Sequence, residues 1–149
     1  MNDIEFLRYA FKGNDDAVGL VISVVKIADV WDNLIDGDKE IDKQSVNEAF
    51  WLACIEIPRN PVFRQYQLDI TTVFSTGILN WHVANQLQTG DDHAKQIAHV
   101  TRYSIADVSL YLAAAIGGPE WAVHVGPELR IRSQKDRLEN FLEEMKNEK

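Results

Sequence analysis

Apolar side chains recur at helical spacing between Phe63 and Ala84, and this stripe constrains the fold more than any other feature of the chain. Its members are Phe63, Tyr66, Ile70, Val73, Phe74, Gly77, Ile78, Trp81 and Ala84. A stripe with this period lies on one face of an α-helix and has to pack against other elements. Asn60 and Pro61 precede the stripe as an N-cap and a first helical residue, and Gly90 follows it. The sequence therefore predicts a long helix that continues to Gln88.

Glycines, prolines and capping residues divide the rest of the chain into further helical segments. The predicted helices cover residues 3–11, 15–35, 43–57, 92–116, 119–125 and 134–146. Gly37 predicts a left-handed C-terminal cap, Asp42 predicts an N-cap, and Pro58 predicts a helix end. No strand pair or hairpin signal stands between these segments. Because the connections are short, we expect an all-α fold, a compact antiparallel bundle of about five to seven helices.

The length and the charge of the chain limit the number of domains and the kinds of partner that we expect. A chain of 149 residues has the usual size of one domain, so a single helical domain over residues 1–149 is predicted. The 23 acidic residues outnumber the 15 lysines and arginines, and the net charge is −8. Binding to nucleic acid or to anionic membranes is not expected, since both need clustered basic residues.

The sequence predicts neither a signal peptide nor a membrane-spanning segment. Its N-terminal residues lack the basic start and the apolar stretch of a signal peptide, and no segment has 18 or so uninterrupted apolar residues. A cytoplasmic location is therefore the default. The one cysteine, Cys54, lies in an apolar run, so we expect a buried and inert thiol.

Three aspartates on the second predicted helix are the most distinctive polar feature. Asp29, Asp32 and Asp36 are spaced three and four residues apart, so they share one side of the helix. They repel one another, and the C-terminal end of a helix disfavours anions. A bound Mg²⁺ would compensate both penalties, and so would basic residues from another helix. A solvated acidic turn is the alternative interpretation.

Three polar side chains on the central helices are candidates for catalysis. Asp107 is surrounded by apolar residues at helical spacing, so a buried carboxylate there needs a partner. Asn85 falls within the long apolar stripe and His82 lies at its edge. Under an enzymatic hypothesis Asp107 is a further ligand or base, and Asn85 or His82 orients a substrate. Under a structural hypothesis all three are ordinary interhelical hydrogen-bonding residues.

The segment from Gly118 to Arg130 combines tryptophan, histidine and arginine between two prolines. Trp and Arg are favoured anchors of protein interfaces, so Trp121 and Arg130 are predicted interaction residues. The alternative is that Trp121 packs against the bundle.

Three short segments resemble small all-helical proteins of unassigned function that tailed bacteriophages encode and that occur in environmental sequences. These segments are Val30-Trp31-Asp32-Asn33-Leu34-Ile35-Asp36-Gly37-Asp38, Asn47-Glu48-Ala49-Phe50-Trp51 with Pro58-Arg59-Asn60-Pro61, and Gly126-Pro127-Glu128-Leu129-Arg130. The resemblance spans residues 27–132. It implies a phage source, and hence the cytoplasm of a host cell, but no catalytic residues.

Three functions follow as hypotheses. The first is a non-enzymatic helical protein-interaction protein, phage-encoded, that binds a protein partner or forms a homodimer, with no cofactor. The second is a divalent-metal-dependent enzyme that acts on a phosphorylated small molecule, with Mg²⁺ held by the aspartate line. The aspartate helix is also similar, in part, to the metal-binding helices of isoprenoid synthases and all-helical nucleotide pyrophosphatases, but a second acidic motif is lacking. The third is a regulator that binds a basic protein by charge mimicry.

Overall fold

The protein is α-helical, as the sequence predicts. The computed structural model describes residues 1–37, 40–134 and 138–147, and no strand occurs in these ranges. The chain divides into two compact units, residues 1–67 and residues 68–149. The single domain over residues 1–149 stays a prediction. Within the described ranges, no helix combines the length and the apolar character that a membrane span needs.

The first unit is built from helices that local signals start and stop. Helix α1 covers Asp3–Ala10, α2 covers Asp15–Asp36, α3 covers Lys43–Trp51, a π-helical turn covers Leu52–Glu56, α4 covers Ile57–Arg59 and α5 covers Pro61–Gln65. Asn14 caps α2 by accepting the backbone N–H of Ala17 at 3.0 Å. Gly37 ends the same helix in the left-handed conformation, with φ of 66°. This confirms the predicted C-terminal cap.

Asn60 joins two parts of the first unit. Its side-chain oxygen accepts the backbone N–H groups of Val62 and Phe63, which confirms the predicted N-cap. Its side-chain nitrogen donates to the backbone oxygen of Asp16 at 2.8 Å. One amide group thus starts α5 and ties it to the first turn of α2.

The buried residues of the first unit lie at the two ends of its sequence. They are Phe6, Ala10, Phe11, Ala17, Val18, Leu20, Val21, Val24, Ile57, Val62 and Phe63. None of the described residues from 25 to 56 is buried. Helix α2 is therefore a core helix in its first half only.

The third predicted helix does not end at Pro58. The helix widens into the π-helical turn before this residue, and the backbone N–H of Ile57 donates to the backbone oxygen of Leu52, five residues earlier. Proline lacks an N–H group and its ring crowds the preceding helical turn. A π-turn changes the hydrogen-bond register before such a residue, so α4 continues directly from it with Pro58 in its first turn.

The second unit contains one long helix followed by shorter ones. Helix α6 covers Gln67–Leu87, α7 covers Asp92–Thr101, a 3₁₀ turn covers Ser104–Ala106, α8 covers Asp107–Gly117, α9 covers Pro119–Ser133 and α10 covers Leu138–Asn147. Asp91 accepts the backbone N–H of Ala94 at 2.9 Å and so caps α7. Helices α8 and α9 pack closely against each other, because Gly126 leaves a Cβ position only 3.3 Å from Leu110 Cδ1.

Three further predicted helix boundaries are wrong. The helix predicted from Pro61 to Gln88 is interrupted at Tyr66, which has φ of −117° and ψ of 29°. The helix predicted for residues 92–116 is broken by the 3₁₀ turn, where the Ser104 hydroxyl donates to the backbone oxygen of Thr101 at 2.7 Å. The break predicted at Gly126-Pro127 does not occur, because α9 runs through Pro127.

Burial on both sides of Pro127 explains why α9 continues. Ala122, Val125 and Leu129 are buried, so the helix has apolar contacts before and after the proline. A proline within a helix removes one hydrogen bond and costs about 3 kcal/mol. The burial of two or three apolar side chains offsets such a cost, at roughly 1.5–3 kcal/mol for each large side chain.

The last helix packs as its sequence predicts. Phe141 of α10 is buried with Ala84 of α6 and Ala98 of α7, and Leu142 and Met145 pack beside this cluster. Residues 135–137, where the first turn of this helix is predicted, lie outside the described residues. Gln134 precedes them, and its side chain donates to the backbone oxygen of His99 at 2.8 Å.

Acidification is expected to loosen the start of α3. The carboxylate of Asp42 accepts the backbone N–H of Ser45 at 2.6 Å, and hydrogen bonds from the backbone and the hydroxyl of Ser45 lower the pKa of Asp42 below its ordinary 3.8. A lowered folded-state pKa means that this stabilisation is present above pH 3.8 and is lost as the pH falls through the lowered value. The measurement is the helical NMR shifts of the first turn of α3 during an acid titration.

A matched pair of variants isolates the cap. Asp42→Asn keeps a side-chain oxygen but removes the titration, so its first turn should persist where the parent loses it. Asp42→Ala should weaken the turn at neutral pH as well. Equal acid-induced loss in the parent and in Asp42→Asn would show that another group is responsible.

Candidate interaction surface

The first unit carries a pair of helical segments, which we call the arm, with no buried residue among those that the structure describes. The arm comprises residues 25–56, that is, the second half of α2, the connection, α3 and the π-helical turn. Its apolar side chains are nevertheless large. Phe50 is 68% exposed, Trp51 57%, Leu34 53% and Ile35 59%. An isolated exposed leucine is ordinary, but several large apolar side chains on one structural element mark an interaction surface.

An ion pair connects the two helices of the arm. Lys26 of α2 pairs with Glu48 of α3 at 3.3 Å, and both side chains are about half exposed. A shallow groove of about 220 Å³ runs beside this pair. Its lining residues are Lys26, Asp29, Val30, Ser45, Glu48, Ala49 and Leu52. Phe50, Trp51, Leu34 and Ile35 are absent from this lining and are exposed, whereas Trp31 is only partly exposed.

Two large exposed aromatic side chains lie at the C-terminal end of α3. Phe50 and Trp51 lie there, and the indole N–H of Trp51 donates to the Glu56 carboxylate at 3.4 Å. Cys54, one turn beyond Phe50, is also exposed. The prediction of a buried thiol is therefore wrong, because the side of α3 that packs against α2 is used by Ala49 and Leu52 instead.

The line of three aspartates lies on the arm. Asp29 lines the groove, Asp32 is partly exposed and Asp36 is exposed at the end of α2. Within the described parts of the chain, no group of three or more histidine, cysteine, aspartate or glutamate side chains has an arrangement that could hold a metal ion. Mg²⁺ binding by these aspartates stays a prediction. Asp38, which follows them in the sequence, lies outside the described residues.

In the second unit, Asp107 and Arg130 form an ion pair. The two side chains approach to 2.7 Å, and 54% of the Asp107 side chain and 38% of the Arg130 side chain are exposed. Asp107 is the first residue of α8, where the helix dipole favours a negative charge. Asp107 follows the 3₁₀ turn and is exposed, although Leu110, Pro127 and Leu129 line the same groove, and the pair contributes little to stability at such exposure.

The other two catalytic candidates contact different neighbours. Asn85 accepts the guanidinium of Arg102 at 3.3 and 3.4 Å. His82 is exposed, and its ring lies at 5.3 Å from that of Trp81 in an edge-on arrangement. These two side chains and Asp107 belong to the second unit, whereas the aspartate line belongs to the first unit. A catalytic role for Asp107, His82 and Asn85 stays a prediction.

Trp121, a predicted interaction residue, packs within the second unit. Its indole ring lies directly over Gly117, where an added Cβ would fall 2.6 Å from Trp121 Cγ. Its ring centroid is 5.6 Å from that of His124. The side chain is only partly exposed. The role of Trp121 and Arg130 in binding a partner stays a prediction. The structure places both side chains in intramolecular contacts.

A second groove lies between α8 and α9, with a volume of about 330 Å³. Its lining residues are Ala106, Asp107, Leu110, Gly126, Pro127, Leu129, Arg130 and Ser133. Small-molecule sites usually occupy about 300–1,000 Å³ and enclose their ligands. The groove on the arm is smaller than this range, and the groove on the second unit is at its lower limit. The arm is the stronger candidate because of its exposed aromatic side chains, and not because of its groove.

The sequence analysis does not predict Phe50 and Trp51 as interaction residues, although one feature of the sequence indicates that some apolar side chains here are exposed. Residues 50–55 form an unbroken apolar run, Phe-Trp-Leu-Ala-Cys-Ile. Six consecutive helical residues turn through about 600°, so they cannot all face one neighbouring helix. Some of these side chains had to point away from the first unit's own core.

Comparison with protein-family models, with curated proteins and with solved structures finds no match for this chain.

Proposed function

We propose that this chain is a non-enzymatic helical protein-interaction protein whose arm is covered by a protein partner or by a second copy. One observation carries the proposal: no described residue from 25 to 56 is buried, although this range holds Phe50, Trp51, Leu34 and Ile35. Burial of a large apolar side chain is worth roughly 1.5–3 kcal/mol. These side chains are not buried within the fold of the chain itself, so their burial by a partner would stabilise a complex.

The resemblance to small phage proteins extends the proposal to the source. A tailed bacteriophage would encode the chain, and the arm would act in the cytoplasm of the host cell, in host interaction or particle assembly. The aromatic residues support an interface role, because tryptophan and other large aromatic side chains dominate the binding energy of interfaces.

The exposed Cys54 provides a direct test, since it is the only cysteine of the chain. A benzophenone maleimide attached to Cys54 is expected to cross-link on illumination, either to a second copy or to one protein of a host-cell extract. The physical reason is that a group on the outer side of α3 lies within an interface when the arm is covered. The measurement is the mass of the adduct.

A relocated cysteine serves as the matched control. Cys54→Ser combined with Val123→Cys moves the reactive group to α9, at a position that is 75% exposed and outside the arm. The proposal predicts an adduct of defined mass from position 54 and none from position 123. Adducts of similar yield from both positions, or none from position 54, would contradict it.

A further inference from the structure

The charge of the arm distinguishes between its possible occupants. Residues 25–56 contain eight acidic residues and three lysines, a net charge of −5, whereas the other 117 residues together carry −3. Most of the net negative charge of the chain thus lies in the arm, which also carries the exposed Phe50 and Trp51. Opposite charge across an interface accelerates association and excludes wrong partners, and like charge costs free energy.

This charge disfavours a second copy as the occupant. Two arms in contact would bring a net charge of −5 against −5 at distances within the Debye length of about 8 Å at physiological salt. A partner with lysine and arginine around an apolar centre meets no such repulsion. Three of the acidic residues lie on α2, three lie in the sequence between α2 and α3, and Glu48 and Glu56 lie on α3 and the π-helical turn, so a complementary partner would need basic residues over a comparable length.

The outer side of α3 indicates the shape of the partner. Together α3 and the π-helical turn extend over Lys43–Glu56, about 20 Å at 1.5 Å per residue, and no described residue of either is buried. An exposed helical face of this length packs well against another helix. The carboxylate of Glu56 accepts the Trp51 indole N–H, so a negative charge lies next to an exposed aromatic face. A cation from the partner would meet both groups at once.

We propose that the arm docks a basic amphipathic helix of a partner protein, with Phe50 and Trp51 as the apolar anchors and the carboxylates of the arm, Glu56 beside Trp51 among them, as the charge complement. This inference rests on the proposed interaction function and names the chemistry of the partner.

Two fluorescein-labelled peptides of 18 residues serve as probes. The first is an amphipathic helix of leucine and lysine, and the second has glutamate in place of every lysine. Anisotropy titrations at physiological salt compare their affinities for the whole chain. The lysine peptide is expected to bind at least about tenfold more tightly than the glutamate peptide, and to weaken as salt is added. Phe50→Ser combined with Trp51→Ser should weaken its binding by about tenfold or more.

The matched control is Val123→Ser combined with Ile131→Ser, which removes two exposed apolar side chains of α9 and leaves the arm intact. Its affinity for the lysine peptide should stay within about twofold of the parent. Far-UV circular dichroism verifies that each variant remains helical. Equal binding of both peptides, binding of neither, or an equal loss in the two variants would overturn the inference.

The cross-linking experiment separates this inference from the function on which it rests. A dimer adduct from Cys54 without binding of the lysine peptide would make a second copy the occupant, so the interaction function would stand and the basic partner would be rejected. No adduct and no peptide binding would reject both.

Discussion

Leu20→Ala is expected to lower the free energy of unfolding by about 2–5 kcal/mol, whereas Leu34→Ala should change it by less than about 0.5 kcal/mol. Both leucines lie on α2. Leu20 is 1% exposed, so its truncation leaves a cavity in the core of the first unit, while Leu34 is 53% exposed and leaves none. The two variants carry the same chemical change on one helix, and they differ in burial. Urea unfolding followed by circular dichroism measures both effects.

The comparison tests the arm directly. A cost at Leu34 similar to that at Leu20 would show that the arm is packed within the isolated chain, and the interaction surface would then be refuted. Repeating the Leu34→Ala measurement at low and high protein concentration tests whether a second copy of the chain covers the arm. A cost that grows with concentration would indicate that a second copy covers the arm, because association stabilises the folded state by mass action.

Gly77→Ala is expected to destabilise the protein by about 1–3 kcal/mol, although alanine is the better helix former. A Cβ at Gly77 would lie 2.9 Å from Ile105 Cδ1 and only 3.0 and 3.2 Å from the Cα and N atoms of Ile105. The side-chain atom can rotate away, but the backbone atoms belong to the 3₁₀ turn and can move only with it. That turn is further held by the Asn80 side chain, which donates to Ser104 Oγ at 3.1 Å.

Gly19→Ala is the matched control for this prediction. Gly19 lies within α2, and no atom is within 4 Å of its Cβ position. Alanine there should stabilise the protein by roughly 0.5–1 kcal/mol, because glycine loses more backbone entropy on folding. Thermal unfolding of the two variants should therefore shift in opposite directions. A neutral Gly77→Ala would mean that the 3₁₀ turn does not lie against α6.

The helix termini show what a sequence determines by itself. Asn14, Asp42, Asn60 and Asp91 each cap a helix by accepting a backbone N–H two or three residues ahead. Gly37 adopts the left-handed conformation that a helix end requires. These interactions depend on a few adjacent residues, and so local residue types are sufficient to predict them. The all-α class follows from the same local signals together with the helical spacing of apolar residues.

Burial depends on partners that are distant in sequence, and only the tertiary structure decided it. Pro127 lies inside a helix because Val125 and Leu129 are buried on either side of it. Asp107 is exposed because the chain turns at Ser104–Ala106 just before it. Phe50, Trp51 and Cys54 are exposed, and the groove that α3 and the π-helical turn share with α2 is lined by Ala49 and Leu52 instead. Apolar periodicity shows which residues share a helix face, whereas the presence of a neighbour on that face is a property of the folded chain.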